Sequence, residues 1–313
     1  RPELEAPRPY REYVAWLAGR DLGRAEDFWR RRLAGFRAAT TPELPPPAAG
    51  APAERPNPRK VVLPREDTAR LQQLAATHQL TLNTVVQGAW ALLLAGWSGA
   101  SDVVFGATVS GRPAELPGVE TMIGLFINTL PVRARLDGNP PAAAWLAELQ
   151  RQQVEAREFE YSPLAQVQRW SEVPRDQPLF ETIVVYENYP RVDLGRRGEE
   201  RLAVEDVDDF DRNNYPLYLT VIPREALTLW VTFDEARFHP DAADWLLADL
   251  ELLLSRLATT PETPVEALCW IVAERRRERL GDRRRQSREA SLDKLRTLRR
   301  RDPRGLPAAD PKA

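Results

Sequence analysis

The 313-residue chain has 43% hydrophobic and 29% charged residues, a formal net charge of -2 and a pI near 6.0. This composition predicts a globular protein with a substantial core and gives no whole-chain attraction to nucleic acid or to an anionic membrane. Cys269 is the only cysteine and there are only two histidines. An internal disulfide framework and a zinc site with Cys/His spacing are therefore excluded.

The sequence also predicts where the protein resides. No apolar run approaches the roughly 18 to 20 residues of a membrane span, and the N-terminal RPELEAPRPYREY lacks an apolar signal core. We therefore expect a cytoplasmic protein. The chain begins with Arg1 and its only methionine is Met122, which predicts a segment of a longer protein or a processed product.

The first hundred residues alternate between helical patterns and breaks. Apolar spacing predicts two amphipathic helices before residue 41, and the prolines scattered from 42 to 58 predict an extended surface linker. A short strand is expected at 60–64 and a helix at 66–78. Thr81 is then positioned to cap a long, buried helix.

Strands and helices continue to interleave after this helix. Further strands are predicted at 102–109, 127–136, 179–189, 215–223 and 226–234, the last two as a hairpin. Helices are predicted after Pro240 and from Asn139-Pro140 to about Phe159, the latter with residues 150–157 on its solvated side. The arginine-rich residues 274–301 predict one long exposed helix, or two. The pattern indicates an α/β (α+β) fold in which helices cover a mixed β-sheet.

Four segments carry a specific resemblance. They read YREYVAW at 10–16, DVVFGATVSGR at 102–112, MIGLFINTLPVR at 122–133 and NNYPLYLTV at 213–221. In this order they resemble the motifs of condensation domains of non-ribosomal peptide synthetases, over about residues 8–275. The family-motif residues are Tyr10, Tyr13, Trp16, Asp102, Gly106, Asn214 and Pro216.

The resemblance implies one lobe of a two-lobed fold similar to chloramphenicol acetyltransferase. Residues 1–41 would be a helical lead-in that follows a missing N-terminal lobe, and 42–59 a Pro/Ala-rich linker. Residues 60–272 would form the C-terminal lobe, followed at 273–313 by an arginine-rich helical tail or inter-domain linker.

The resemblance also implies an activity, which is amide formation between a carrier-bound thioester donor and an acceptor amine inside a tunnel. The residues expected to shape the tunnel floor or its hydrogen bonds are Ser110, Gly111, Arg112, Gly124, Asn128 and Thr129. A purely structural interpretation is also open, in which the glycines allow tight turns and Asn128 satisfies a loop backbone.

No cofactor is expected to bind directly, because phosphopantetheine would arrive on partner carrier proteins. The expected partners are peptidyl or aminoacyl carrier proteins, the missing N-terminal lobe, and either a downstream adenylation domain or a tailoring oxygenase.

The family's catalytic HHxxxDG motif is absent from this chain. His78 and His239 have neither a histidine neighbour nor a following Asp-Gly, so both are interpreted as structural. The segment EFEYSPLAQVQRW at 158–170 keeps a Ser-Pro helix entry but departs from the family's usual residue types. We therefore assign no catalytic residue and expect this chain to be inactive alone.

Three functions remain open at this point. The first is the enzyme fragment, and the second is a non-catalytic platform that recruits an oxygenase or carrier protein. The platform is favoured by AERRRERLGDRRR at 273–285, which begins like a junction to an adenylation domain but lacks its Trp-Asn. Nucleic-acid binding through the basic tail is weaker, because acidic residues are interspersed there.

The acidic residues at 205–211 could suggest a metal site. They are too consecutive to converge on one ion, so a solvated loop is the better interpretation and no metal is expected.

Overall fold

The computed structural model describes residues 7–47, 58–188 and 214–301, with only the backbone described for 293–301. The helices are α1 (Arg11–Ala18), α2 (Leu22–Leu33), α3 (Arg65–Thr77), α4 (Leu82–Ser98), α5 (Ala142–Arg157), α6 (Leu164–Trp170), α7 (Asp241–Thr259) and α8 (Val265–Arg301). The strands are β1 (Arg59–Val62), β2 (Asp102–Val109), β3 (Asn128–Arg135), β4 (Thr182–Tyr186), β5 (Leu217–Ile222) and β6 (Thr228–Phe233).

All six strands form one mixed sheet in the order β1-β6-β5-β4-β2-β3. Parallel pairing joins β4 to both β2 and β5, whereas the β2–β3, β5–β6 and β1–β6 pairs are antiparallel. The predicted hairpin is β5–β6, in which Leu217 pairs with Phe233. The predicted mixed sheet with covering helices is confirmed.

The sheet separates two apolar clusters. The larger one contains α4, α7 and the first turns of α8, and includes the fully buried Trp90 and Trp97. The smaller one packs α2 and α6 on the other face, around the fully buried Trp29. The Thr81 hydroxyl accepts a hydrogen bond from the Thr84 amide at 3.0 Å, so the predicted cap of α4 is confirmed.

Within the described part of the chain, no single helix is long and apolar enough to cross a membrane. Only α3 and α4 taken together reach the length and apolar composition of a span, and the two are bent by 105° at their break.

The proline-rich segment differs from the predicted surface linker where it is described. Pro42 and Pro45 are buried, and the Glu43 amide donates to the Trp97 carbonyl at 2.9 Å. The Pro45 carbonyl accepts from the His239 amide at 2.8 Å. A proline lacks a donor but keeps its carbonyl and an apolar ring, so this segment packs against the core through Pro42 and Pro45. Residues 48–57 are outside the described part.

The exposed arginine-rich helix predicted from residue 274 is also different. It is the continuation of α8, which begins at Val265 and runs without a break through the predicted boundary at 272/273. Val272 is buried against α4, where a Cβ on Gly96 would lie 2.5 Å from the valine side chain. Only the part of α8 after about residue 284 matches the predicted exposure, as far as side chains are described.

Candidate functional site

A groove of about 940 Å³ opens between the N-terminal part of α4, the outer face of α5, the β2–β3 pair and the β2–β3 loop (residues 110–127). Three of the predicted site residues, Ser110, Gly111 and Arg112, line it. Gly124, Asn128 and Thr129 are not among the lining residues. Its size falls within the usual range for small-molecule sites.

One wall of the groove is a chain of neutral amide and hydroxyl groups. Gln153 Nε2 donates to Gln87 Oε1 at 2.8 Å, and Gln87 Nε2 donates to Asn83 Oδ1 at 2.9 Å. The Thr84 hydroxyl lies 3.1 Å from Gln150 Oε1 and 3.0 Å from Gln153 Oε1. These contacts fix the side chains of α4 and α5 relative to each other and leave a wall that can hydrogen-bond without carrying charge.

Sequence reasoning missed this wall. The polar composition of residues 150–157 predicts a solvated side of α5, but Gln150 and Gln153 are half-buried and face the groove. The spacing of Asn83 and Gln87, one turn apart on an otherwise apolar helix, is the signal in the sequence that could have found it.

Gly111 is a position where only glycine fits. Its φ is +62°, and a Cβ built there would lie 1.8 Å from the Phe126 carbonyl oxygen. Both the left-handed backbone and the close approach of the β2–β3 loop therefore require the missing side chain. At Gly124 the neighbour is the Tyr10 ring, 2.1 Å from a built Cβ. At both positions, the lack of space for a side chain is enough to explain why the residue is glycine.

Arg112 holds the β2–β3 loop closed. Its guanidinium donates to the carbonyls of Val119 and Met122, the latter at 3.2 Å, and lies 4.0 Å from the centre of the Phe126 ring. Hydrogen bonds and a cation–π contact thus use most of its donors inside the loop. Ser110 is exposed at the groove, and its hydroxyl accepts from the Arg112 amide at 3.5 Å.

Asn128 joins the start of β3 to the turn before α6. Its Nδ2 donates to the carbonyls of Glu160 and Ser162, both at 2.8 Å, and its Oδ1 accepts from the Thr129 amide at 2.9 Å. Thr129 pairs with Thr108 in the β2–β3 register. Asn128 therefore satisfies backbone groups, which is the alternative that the sequence left open.

Asn128→Asp is expected to destabilise the protein by about 2–3 kcal/mol, since a carboxylate would face two carbonyl oxygens that now receive hydrogen bonds. Urea unfolding measures the change. The matched control is Asn83→Asp, whose oxygen already accepts from Gln87 and should shift stability by no more than about 0.5 kcal/mol. Equal effects of the two substitutions would contradict the assigned role.

The family-motif residues mostly connect elements. The Tyr13 ring packs against Phe126 at 4.5 Å and against Trp16 at 5.9 Å, which fixes α1 on the β2–β3 loop. The Tyr10 hydroxyl donates to the Leu125 carbonyl of the same loop. Of this group, Tyr13 and Trp16 also line the groove.

The remaining motif residues lie in and around the sheet. Asp102 forms a bidentate pair with the buried Arg133 at 2.9 and 2.6 Å, and a Cβ on Gly106 would meet the Phe180 ring at 2.4 Å. The Pro216 carbonyl accepts from the Asp234 amide at 2.8 Å, and Asn214 is exposed.

Glu160 is a groove residue that the sequence did not single out. Burial raises the pKa of its carboxyl, and Arg157 opposes that shift only in part.

The two histidines lie away from the groove. His78 ends α3, and His239 Nδ1 lies 3.3 Å from Asp241 Oδ2 before α7. Neither lines the groove.

In the ranges that the structure describes, no group of three or more His, Cys, Asp or Glu side chains is arranged to hold a metal ion. The acidic residues 205–211 lie outside these ranges.

Comparison with known proteins identifies the class. The family model for the condensation domain matches residues 1–280, and the chain is 43% identical over 278 residues to one of the linear gramicidin synthase proteins of Brevibacillus parabrevis. That alignment covers 88% of this chain but 4% of the synthase protein. The chain therefore belongs to the condensation domain family of non-ribosomal peptide synthetases, and it spans a small fraction of the length of the curated relatives it matches.

Solved structures agree on the fold. The first condensation domain of the calcium-dependent antibiotic synthetase, in complex with a substrate analogue, has a TM-score of 0.62 at 18% identity, covering 81% of this chain and 54% of that one. The complex of the X-domain and OxyB from teicoplanin biosynthesis gives 0.62 at 24% identity, covering 79% and 55%. The condensation-domain architecture of the described sheet and helices follows.

Proposed function

We propose that this chain supplies the C-terminal-lobe side of a tunnel in which a carrier-bound thioester donor acylates a carrier-bound amine. The groove of about 940 Å³ with its neutral hydrogen-bonding wall carries this proposal. Amide formation from a thioester needs mainly that the two reactants be held together in the right orientation. A wall of fixed amide and hydroxyl groups suits that task, because it can orient an amide-containing arm without the cost of burying charge.

The arm of a phosphopantetheine group contains two amides and no charge beyond its phosphate. Gln153 and Gln87 present donors and acceptors at fixed distances along the groove, so such an arm can exchange its water hydrogen bonds for protein ones. The partners proposed on this basis are the carrier proteins that deliver donor and acceptor.

The side chains that act on the acceptor amine during amide formation are proposed to lie outside this chain. The HHxxxDG sequence is absent here, and the groove is lined by neither of the two histidines. This chain alone is therefore expected to form no dipeptide, whereas the chain combined with a separately expressed N-terminal condensation lobe is expected to form it.

The test measures dipeptide formation from aminoacyl-loaded donor and acceptor carriers, by mass spectrometry, for the chain alone and for the combination. In the combination, Gln153→Leu is expected to slow product formation about tenfold through the loss of one oriented hydrogen bond. Gln72→Leu is the control, because Gln72 is exposed on α3 away from the groove. Dipeptide formation by the chain alone, or equal rates for the two variants, would refute the proposal.

A non-catalytic platform is the second candidate. The observation in its favour is the likeness to the teicoplanin X-domain, which is seen in complex with OxyB. If the combined lobes form no amide but retain an oxygenase of the same biosynthetic system in a pull-down, the platform replaces the enzyme. Without such retention the platform has no support.

A further inference from the structure

Glu160 is a carboxylate in the groove that the proposed function does not yet use. It lies just beyond the C-terminal end of α5, is half-buried and lines the groove. Its backbone is fixed on both sides, because its carbonyl accepts from Asn128 Nδ2 at 2.8 Å and its amide donates to the Arg157 carbonyl at 3.3 Å. The main chain that carries this carboxyl group is therefore held in place before a substrate enters.

The Glu160 carboxyl group has no partner of its own in the part of the chain that the structure describes, where it takes part in no hydrogen bond and no ion pair. Arg157 acts on it only at longer range, and burial raises its pKa. A carboxylate that has lost water without gaining a protein partner favours a hydrogen-bond donor or a cation on a bound molecule.

Three aromatic side chains, Tyr13, Trp16 and Tyr161, line the same part of the groove. Tyr13 stacks on Trp16 with ring centres 5.9 Å apart, and Trp16 meets Tyr161 edge-on at 6.1 Å. Burial, followed by Tyr10 and the Glu160 carboxylate, raises the pKa of the Tyr13 phenol, so this carboxylate lies near the first of the rings. Aromatic faces beside a carboxylate are suited to an alkylammonium group, because the rings attract the charge and also pack against its methylene stem.

Two arginines of the groove bear on the charge of the ligand. Arg20 lies over the Trp16 ring, 4.1 Å from its centre, which shows that these rings already hold one cation. Arg157 is exposed, so water screens its charge. An anionic ligand here would approach the unpaired Glu160 carboxylate as well as the arginines, whereas a cation gains that carboxylate as a partner.

The sequence around Glu160 favours a role in choosing the substrate. Glu160 belongs to the segment at 158–170, which departs from the residue types that are usual in condensation domains. A residue that serves the chemistry common to the family is not expected in such a segment. A residue that answers to one kind of substrate is.

We propose that Glu160 selects a substrate whose side chain carries a positively charged amine, of the lysine or ornithine kind. The carboxylate accepts hydrogen bonds from the ammonium group, while the methylene stem packs against Tyr13 and Tyr161. Glu160 takes part in no bond-making step and acts on specificity alone. The inference rests on the proposed function, because it names the class of substrate that the groove takes.

The test compares three probes that differ mainly at the end of the side chain, which are the Nα-acetyl amides of lysine, norleucine and glutamate. Each is titrated into the 313-residue chain at neutral pH and low ionic strength, and binding is followed by ligand-observed NMR. The lysine probe is expected to bind at least about fivefold more tightly than the norleucine probe, through a charge-assisted hydrogen bond and ring contacts. The glutamate probe is expected to bind least tightly. Glu160→Gln should remove the preference for lysine, and Glu160→Asp should retain part of it.

Glu158→Gln is the matched control. It removes the same charge from a neighbouring carboxylate that also lines the groove but lies 4.0 Å from Arg24, so it should keep the preference for lysine. Glu160→Gln keeps the shape of the side chain and the backbone carbonyl that Asn128 contacts, and an unchanged circular dichroism spectrum shows that the variant is folded.

The proposal is overturned by equal binding of the lysine and norleucine probes, by no binding of the lysine probe, by tighter binding of the glutamate probe, or by an equal loss in Glu158→Gln. These are binding measurements on the chain itself. A failure to form dipeptide with the preference for lysine intact counts against the proposed function, whereas normal dipeptide formation without that preference counts against the role of Glu160.

Discussion

Asp249→Ala is expected to lower the free energy of unfolding by about 3–5 kcal/mol, the usual cost of removing one partner from a buried ion pair. Asp249 is fully buried in α7 and receives hydrogen bonds from Arg275 Nε at 2.6 Å, Arg279 Nη1 at 2.9 Å and Trp97 Nε1 at 3.0 Å. Without this carboxylate, two arginines and a buried indole NH lose their acceptor. Urea unfolding followed by tryptophan fluorescence measures the loss.

The control for Asp249→Ala is Asp241→Ala, also in α7. Asp241 is half-exposed and pairs with Arg283 at 3.3 Å, so its removal should cost about 0–1 kcal/mol. Similar midpoints for the two variants would contradict the special role of the buried carboxylate.

The reactivity of Cys269 reports locally on how tightly α8 is held against its neighbouring helices. Burial raises the pKa of its thiol to about 12, and the Sγ faces the Leu92 carbonyl at 3.7 Å where α8 packs on α4. The thiol of the native protein should therefore react slowly with a disulfide reagent at neutral pH. Asp249→Ala is expected to speed that reaction, because it frees α8 from α7, while Asp241→Ala leaves the rate nearly unchanged.

The order of the helices and strands could be predicted because each of them has its own pattern of apolar residues. Thr81 before the apolar stripe of α4, and the short runs of apolar and β-branched residues in β5 and β6, are local signals that do not depend on distant contacts. The position of α8 could not be predicted in that way. The many arginines of this helix predict a helix exposed to solvent. Only the fold places Arg275 and Arg279 beside the carboxylate of Asp249, which is remote in sequence.

Only part of the candidate site could be predicted, because local motifs can be recognised in a sequence and contacts between distant segments cannot. Gly111 and Arg112 belong to a motif that can be recognised in the sequence, and both line the groove. Gln150 and Gln153 lie on a helix face rich in Glu, Arg and Gln, and such a composition predicts a face exposed to solvent. Only the fold shows that this face contacts α4.

Gly111→Ala is expected to destabilise the protein by about 3 kcal/mol or more, since it adds two separate penalties. The first is a left-handed backbone at φ +62°, and the second is a Cβ 1.8 Å from the Phe126 carbonyl oxygen. A backbone atom cannot rotate away as a side chain can, so the β2–β3 loop has to move. Urea unfolding gives the total, and faster cleavage of this loop by subtilisin shows where the strain is released.

Gly99→Ala separates the two penalties. Gly99 ends α4 with a φ of +75°, and a built Cβ there meets nothing within 4 Å, so this variant carries the left-handed strain alone, about 1 kcal/mol. The excess of Gly111→Ala over Gly99→Ala then measures how firmly Arg112 and Phe126 hold the loop. If the two variants lose the same stability, the loop yields freely, and a fixed floor beside the groove would have to be abandoned.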